Sequence, residues 1–66
     1  MQITVNGEAT EIDESATMAD LVAQLSLGNR RLAVEYNGEI LPRSNWEQTR
    51  LGNGDRIEIV HAIGGG

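Results

Sequence analysis

Thr17-Met18-Ala19-Asp20-Leu21-Val22-Ala23-Gln24-Leu25 has clear helical periodicity in a chain that otherwise reads as strands and turns, and the fold is decided there. Met18, Leu21, Val22 and Leu25 stand at i, i+3, i+4 and i+7. They form one apolar stripe, with Asp20 and Gln24 facing away. Thr17 is the residue type of a helix N-cap, and Asp20 three residues on is a shortened capping-box acid. Gly28 suits the first position past the helix, which would then end near Leu27. About ten residues are too few to hold a helix by propensity, so the stripe must pack on something.

The flanks supply the partner surface. Upstream, Met1-Gln2-Ile3-Thr4-Val5 alternates apolar and polar, the pattern of a half-buried strand. Asn6-Gly7 predicts a type I′ hairpin turn, in which both central residues need φ > 0. Glu8 to Ile12 is the returning strand, with poor alternation, and residues 13–16 form a loop. Downstream, Leu32, Val34 and Tyr36 alternate with Ala33 and Glu35 in a third strand. Asn37-Gly38 is a second hairpin turn, and Glu39-Ile40-Leu41 a short return that Pro42 halts by removing a donor. Ser44-Asn45-Trp46-Glu47 has the form of a second capping box and predicts one short helical turn. Trp46 reads as a lid on a small core, and Leu51 as the anchor of the loop that follows. Gly52-Asn53-Gly54-Asp55 is a tight turn, and Arg56 to Ile63 the last strand. The order predicts a single α+β domain over residues 1–63: a mixed sheet of four or five strands with one main helix packed on one face.

Composition narrows the function. The 66 residues carry a net charge of −5, with five basic residues, all Arg. That balance argues against nucleic acid, where binding rests on neutralising phosphates, and against an anionic membrane surface. A basic protein partner is compatible. Cysteine is absent, so no disulfide and no Cys/His zinc site is expected. No segment has the pattern of a signal peptide or of a membrane span of about 20 apolar residues. A soluble cytoplasmic protein is the resulting expectation.

The chain then ends in Gly64-Gly65-Gly66. Glycine has no Cβ, so this run is thin and conformationally adaptable. At about 3.3–3.6 Å per residue, Ile63 to Gly66 spans roughly 13 Å. A tail of this shape can enter a narrow channel and present its carboxylate at the bottom; the plain alternative is a frayed terminus. In the last strand, Ile57, Ile59 and His61 share one face by parity, and Glu58, Val60 and Ala62 the other. With the isoleucines toward the helix, Val60 and Ala62 lie on the open side. Together with Ile63 and Ala33 they are a candidate docking patch, against ordinary scattered surface apolarity. His61 lacks a carboxylate partner in sequence and reads as facing solvent or a partner. Glu8, Glu11, Asp13 and Glu14 lack the offsets and turn glycine of a calcium loop and read as a solvated hairpin, not a metal site. Arg43 either holds its loop or meets a partner.

Two stretches carry a resemblance that covers essentially the whole chain. Ala33-Val34-Glu35-Tyr36-Asn37-Gly38-Glu39-Ile40-Leu41-Pro42-Arg43-Ser44-Asn45-Trp46, with its turn Asn, Pro-Arg and following Trp, resembles the ThiS family, the sulfur carriers of thiamin thiazole biosynthesis. The ending, Gly54-Asp55-Arg56-Ile57-Glu58-Ile59 through Gly65-Gly66, is similar too. Gly64 departs from the pattern, since many relatives have an apolar or other small residue before the glycine pair.

The resemblance implies a ubiquitin-like β-grasp fold, with the last strand central beside the first. It implies a protein cosubstrate with no catalytic residues and no bound cofactor. Gly66 would be the acceptor, with Gly65 and Gly64 the tail that enters a partner's channel. A ThiF-like activating enzyme, using ATP and magnesium, would adenylate the Gly66 carboxylate. Sulfur from a partner thiol or persulfide would convert it to a thiocarboxylate for delivery to a ThiG-like thiazole synthase. Two other readings share the tail. One is a MoaD-like small subunit of molybdopterin synthase. The other is a ubiquitin-like modifier, for which the absence of Lys forbids lysine-linked chains of this protein.

Overall fold

The computed structural model describes residues 1–25 and 31–61. Strand β1, Gln2–Val5, turns through Asn6-Gly7 into β2, Glu8–Glu11. Helix α1, Met18–Gln24, follows, then β3, Leu32–Tyr36, and β4, Glu39–Ile40. A 3-10 turn over Arg43–Gln48 leads to β5, Arg56–His61. The sheet has five strands in the order β2-β1-β5-β3-β4. β1 and β5 run parallel at its centre, and the other neighbours are antiparallel. The mixed sheet expected from the sequence is therefore present at its upper strand count.

Both hairpins turn as their dipeptides dictate. Asn6 and Asn37 each have φ 51°, and Gly7 and Gly38 have φ 84° and 91°. These are left-handed values that Asn tolerates and Gly adopts freely, and they match the right-handed twist of the flanking strands. The helix start also follows its sequence. The Thr17 hydroxyl accepts from the Asp20 amide at 3.2 Å, and the Asp20 carboxylate accepts from the Thr17 amide at 2.9 Å. That reciprocal pair satisfies two donors a helix would otherwise leave open.

Three local expectations are corrected. The helix ends at Gln24, not near Leu27: the Leu25 amide still makes a helical bond to the Leu21 carbonyl, but Leu25 itself, at φ −85° and ψ 1°, has left helical backbone. Gly28 lies outside the described residues. The second capping box does not form. The 3-10 turn starts one residue before Ser44, its N-cap is Pro42, and no side chain caps it. Proline's fixed φ and missing donor already suit that position. Finally β2 stops at Glu11, although the Ile12 amide still donates to the Met1 carbonyl at 2.9 Å.

One core lies between the helix and one sheet face. Ile3 and Val5 enter it from β1, Val34 from β3, Ile57 and Ile59 from β5, and Met18, Leu21 and Val22 from α1. Leu25 of the stripe is partly buried against it. Ile12, Ala16, Trp46 and Leu51 close its ends. The Trp46 indole donates to the Leu41 carbonyl at 3.0 Å, so the ring caps the core with its polar atom satisfied. The Met18 amide donates to Thr49 and the Leu51 amide to Ala16, which stitches the helix start to the loop beyond the 3-10 turn. β2 and β4 are mostly exposed edge strands, which accounts for the poor alternation of the first.

Candidate functional site

The strand that leads to the glycine tail is the central one. β5 pairs with β1 through Thr4–Arg56 and Val5–Ile57, and with β3 from Tyr36–Ile57 to Leu32–His61. The Thr4 and Asn6 amides donate to the Asp55 and Ile57 carbonyls, both at 2.9 Å. A strand bonded along both edges is a stiff base for whatever follows it.

Three polar side chains around β5 carry more than the sequence reading gave them. The Asn6 carboxamide pairs with the Ile59 backbone, its Oδ1 accepting from the amide at 2.8 Å and its Nδ2 donating to the carbonyl at 3.2 Å. Asn37 does similar work at the other end. Its Oδ1 accepts from the Arg56 amide at 2.8 Å, and its Nδ2 donates to Asp55 at 3.2 Å. Asp55 also accepts from the Tyr36 hydroxyl at 2.7 Å and from the Gly52 amide at 2.6 Å. Partial burial alone would raise the Asp55 carboxyl. The hydrogen bonds from Gly52, Tyr36 and Asn37 outweigh it and hold the group below its ordinary value. The hydrogen bond to Asp55, helped by burial and its charge, raises the Tyr36 phenol. The visible signal was Asn, where Gly would serve, at the first position of both hairpin turns.

Of the predicted docking residues, Val60 and Ala33 come together. They are cross-strand partners on the face away from the helix, as parity required. Val60 is 59% exposed. Ile40, 64% exposed, joins the same face as the partner of Glu35, a residue the sequence reading left in its hairpin. Between them Glu35 stands directly opposite Glu58. Like charges so placed destabilise a sheet. Ala62, Ile63, Gly64, Gly65 and Gly66 lie outside the described residues, and so does the expected boundary between domain and tail.

The other candidates are structural. Arg43 lies over the Trp46 ring, 4.7 Å from its centroid, which favours the loop-holding role. The Asp13 carboxylate accepts from the Ser15 hydroxyl at 2.7 Å and amide at 2.8 Å. Those bonds lower its pKa and make it a turn residue. His61 is exposed at the end of β5, paired with Leu32. Among the described residues no group of three or more His, Cys, Asp or Glu side chains could hold a metal ion. No helix among them is long and apolar enough to cross a membrane.

A sequence model of the ThiS family matches residues 3–66. The chain belongs to the ThiS family. A ThiS thiamine biosynthesis protein from Geobacter metallireducens superposes with a TM-score of 0.85 at 35% identity, covering all of both chains. The sulfur carrier protein ThiS of Bacillus subtilis is 40% identical over 53 residues, 80% of each chain. A thiazole synthase of Paramagnetospirillum magneticum is 41% identical over all 66 residues, and the chain spans 20% of its length. ThiS membership makes this chain a sulfur carrier with the β-grasp fold, not an enzyme.

Proposed function

We propose that the chain carries sulfur on Gly66, as a thiocarboxylate destined for the thiazole of thiamin. The observation that carries this reading is a family match running through residue 66, on a domain whose central strand points into the glycine run. A carboxylate is a poor electrophile. ATP on a ThiF-like activating enzyme, with magnesium, would convert it to an acyl-adenylate with loss of pyrophosphate. The terminal sulfur of a partner's persulfide would then attack the acyl carbon and expel AMP, giving an acyl disulfide; a second partner thiol would attack its inner sulfur, form a disulfide with the partner's cysteine and release the Gly66 thiocarboxylate. The chain has no cysteine, so every thiol step belongs to a partner. Gly65 and Gly64 leave the approach to that carbon free of side chains.

The acceptor for the sulfur would be a ThiG-like thiazole synthase. Support comes from the thiazole synthase relative, about one fifth of which is similar to this chain. Joined in one protein, the two parts meet at high effective concentration, which suits partners that must meet in turn. Docking would use the open sheet face. Val60, Ala33 and Ile40 supply apolar contact there, and the Glu35–Glu58 pair asks for a basic counterpart. Ala62 and Ile63 would extend that patch toward the tail. Such a pair costs the free protein some stability and repays it when a partner's Arg or Lys sits between the carboxylates. All of these steps suit a cytoplasmic setting.

The test is the ATP-dependent step itself. With a ThiF-like enzyme, removal of Gly66 is expected to abolish pyrophosphate release while the melting temperature stays put. Gly65→Ala, which adds a methyl beside the reacting carbon, is expected to slow the step far more than it changes stability. Undiminished release from the chain lacking Gly66 would refute the proposal.

A further inference from the structure

We propose that the outer edge of β2 is a docking site for an extended, basic segment of a partner protein, taken up as a further strand beside Ala9 and Glu11. Hydrogen bonding fixes which backbone groups face that edge. The Met1 amine donates to the Ile12 carbonyl at 3.0 Å, and the Ile12 amide to the Met1 carbonyl at 2.9 Å. Bonded and non-bonded pairs alternate along an antiparallel ladder. The register therefore makes Ile3–Thr10 and Val5–Glu8 the bonded pairs, and Gln2–Glu11 and Thr4–Ala9 the non-bonded ones. Consistently, the Gln2 carbonyl and the Thr4 amide bond to the far side of β1, with Gly54 and Asp55. Ala9 and Glu11 accordingly turn their amides and carbonyls outward. Among the described residues only Gln24 meets these groups, its exposed side chain donating to the Glu11 carbonyl at 3.3 Å. The Ala9 amide and carbonyl and the Glu11 amide make a template for another strand. The opposite edge offers less, since β4 is two residues long and Pro42 stands just beyond it.

Charge selects the segment that fits. Residues 1–29 hold five of the ten acids, Glu8, Glu11, Asp13, Glu14 and Asp20, and none of the five Arg. The five acids and five Arg of the remaining residues cancel. The net charge of −5 therefore belongs to the part of the chain that builds this edge. Glu8 and Glu11 are both exposed on β2 itself. Carboxylates along an edge oppose pairing with a second copy of the same edge. They favour a strand that carries Lys or Arg opposite them. Glu8 and Glu11 are three residues apart and so lie on opposite faces. The matching segment has two basic residues three apart, with β-branched residues between them opposite Ala9 and Thr10. Such docking needs neither the tail nor sulfur, so its test is separate from that of the carrier reading.

The probe is a synthetic hexapeptide, acetyl-Thr-Arg-Val-Val-Arg-Thr-amide, titrated into the isotope-labelled full-length chain and followed by amide NMR. The expected result is saturable shifts and slowed exchange at the Ala9 and Glu11 amides, with binding several-fold weaker in about 0.5 M salt. Glu8→Gln and Glu11→Gln should each weaken binding about two- to fivefold. Ala9→Pro keeps every charge and suits an edge position whose amide faces outward, yet it removes the donor, so binding should be lost. If that variant does not fold, the same peptide N-methylated at both valines takes its place and should not bind. No shift at about 5 mM peptide would overturn the proposal. So would undiminished binding by Ala9→Pro or by the methylated peptide, which would mean attraction by charge alone. Equal binding of a peptide with Glu in place of Arg would overturn it too. Dimerisation of the free chain through the same two amides would give the edge to a second copy and likewise overturn it.

Discussion

Leu21→Ala probes the contact between helix and sheet on which the domain depends. Leu21 is fully buried, and so are Met18 on its own helix and Ile57 on the central strand. The surrounding backbone has little freedom to close over a gap. The capping box fixes the start of α1, hydrogen bonds tie that start to Thr49 and Ala16, and β5 is bonded on both edges. A site that cannot collapse keeps its cavity, so the cost belongs in the upper part of the range for buried leucines, about 3–5 kcal/mol. A 66-residue domain has about 3–10 kcal/mol in total. The substitution should therefore remove a large share of the stability and lower Tm by more than about 12 °C. Urea unfolding followed by circular dichroism measures it, with Ile40→Ala as reference. Ile40 is 64% exposed, and its truncation should stay within about 0.5 kcal/mol. A Leu21→Ala variant within about 1 kcal/mol of the parent would refute the packing argument.

Two further outcomes follow from the site. The Asp55 carboxyl titrates below its ordinary 3.8 in the folded chain, so the unfolded chain binds more protons in the acid range. The stability it contributes is present above about pH 3.8 and is lost as pH falls through the lower folded value, and Tm of Asp55→Asn should fall less than the parent's between about pH 5 and pH 2.5; equal falls would show that Asp55 does not carry the acid sensitivity. Val60→Arg should leave Tm almost unmoved, since Val60 is 59% exposed beside Glu58, yet weaken binding to the ThiG-like thiazole synthase by placing a cation against a basic partner surface; an unchanged affinity would remove Val60 from the proposed docking face.

Much of the fold was legible because local patterns agreed with one another. The helix stripe, both Asn-Gly turns and the parity of β5 each depend on neighbours in sequence, and each appears where periodicity put it. Two of the misses are local, at the helix end and the 3-10 turn; those at the site have distant partners. The helix ended early because Leu25 leaves helical backbone at φ −85° and ψ 1°, which no glycine signal announces. Pro42 holds the N-cap position that Ser44 was expected to fill, and its fixed φ suits that position although no side chain caps the turn. At the site, the roles of Asn6, Asn37 and Asp55 depend on β5 lying between β1 and β3. Asn6 meets Ile59 only across 53 residues, and Asn37 meets Arg56 across 19. A turn dipeptide carries no sign of such a contact beyond the choice of Asn over Gly. Ile40 was read as a hairpin residue, and only the register opposite Glu35 puts it on the open sheet face proposed for docking.

Intact mass spectrometry decides whether Gly66 is the sulfur-bearing end proposed for this carrier. The protein is incubated with ATP, magnesium, a ThiF-like enzyme and a sulfur source, beside a control without ATP. The expected result is a mass gain equal to one oxygen replaced by one sulfur, confined to the C-terminal glycine fragment and absent from the control. An unchanged mass with a demonstrably active enzyme, or a sulfur found elsewhere on the chain, would contradict it.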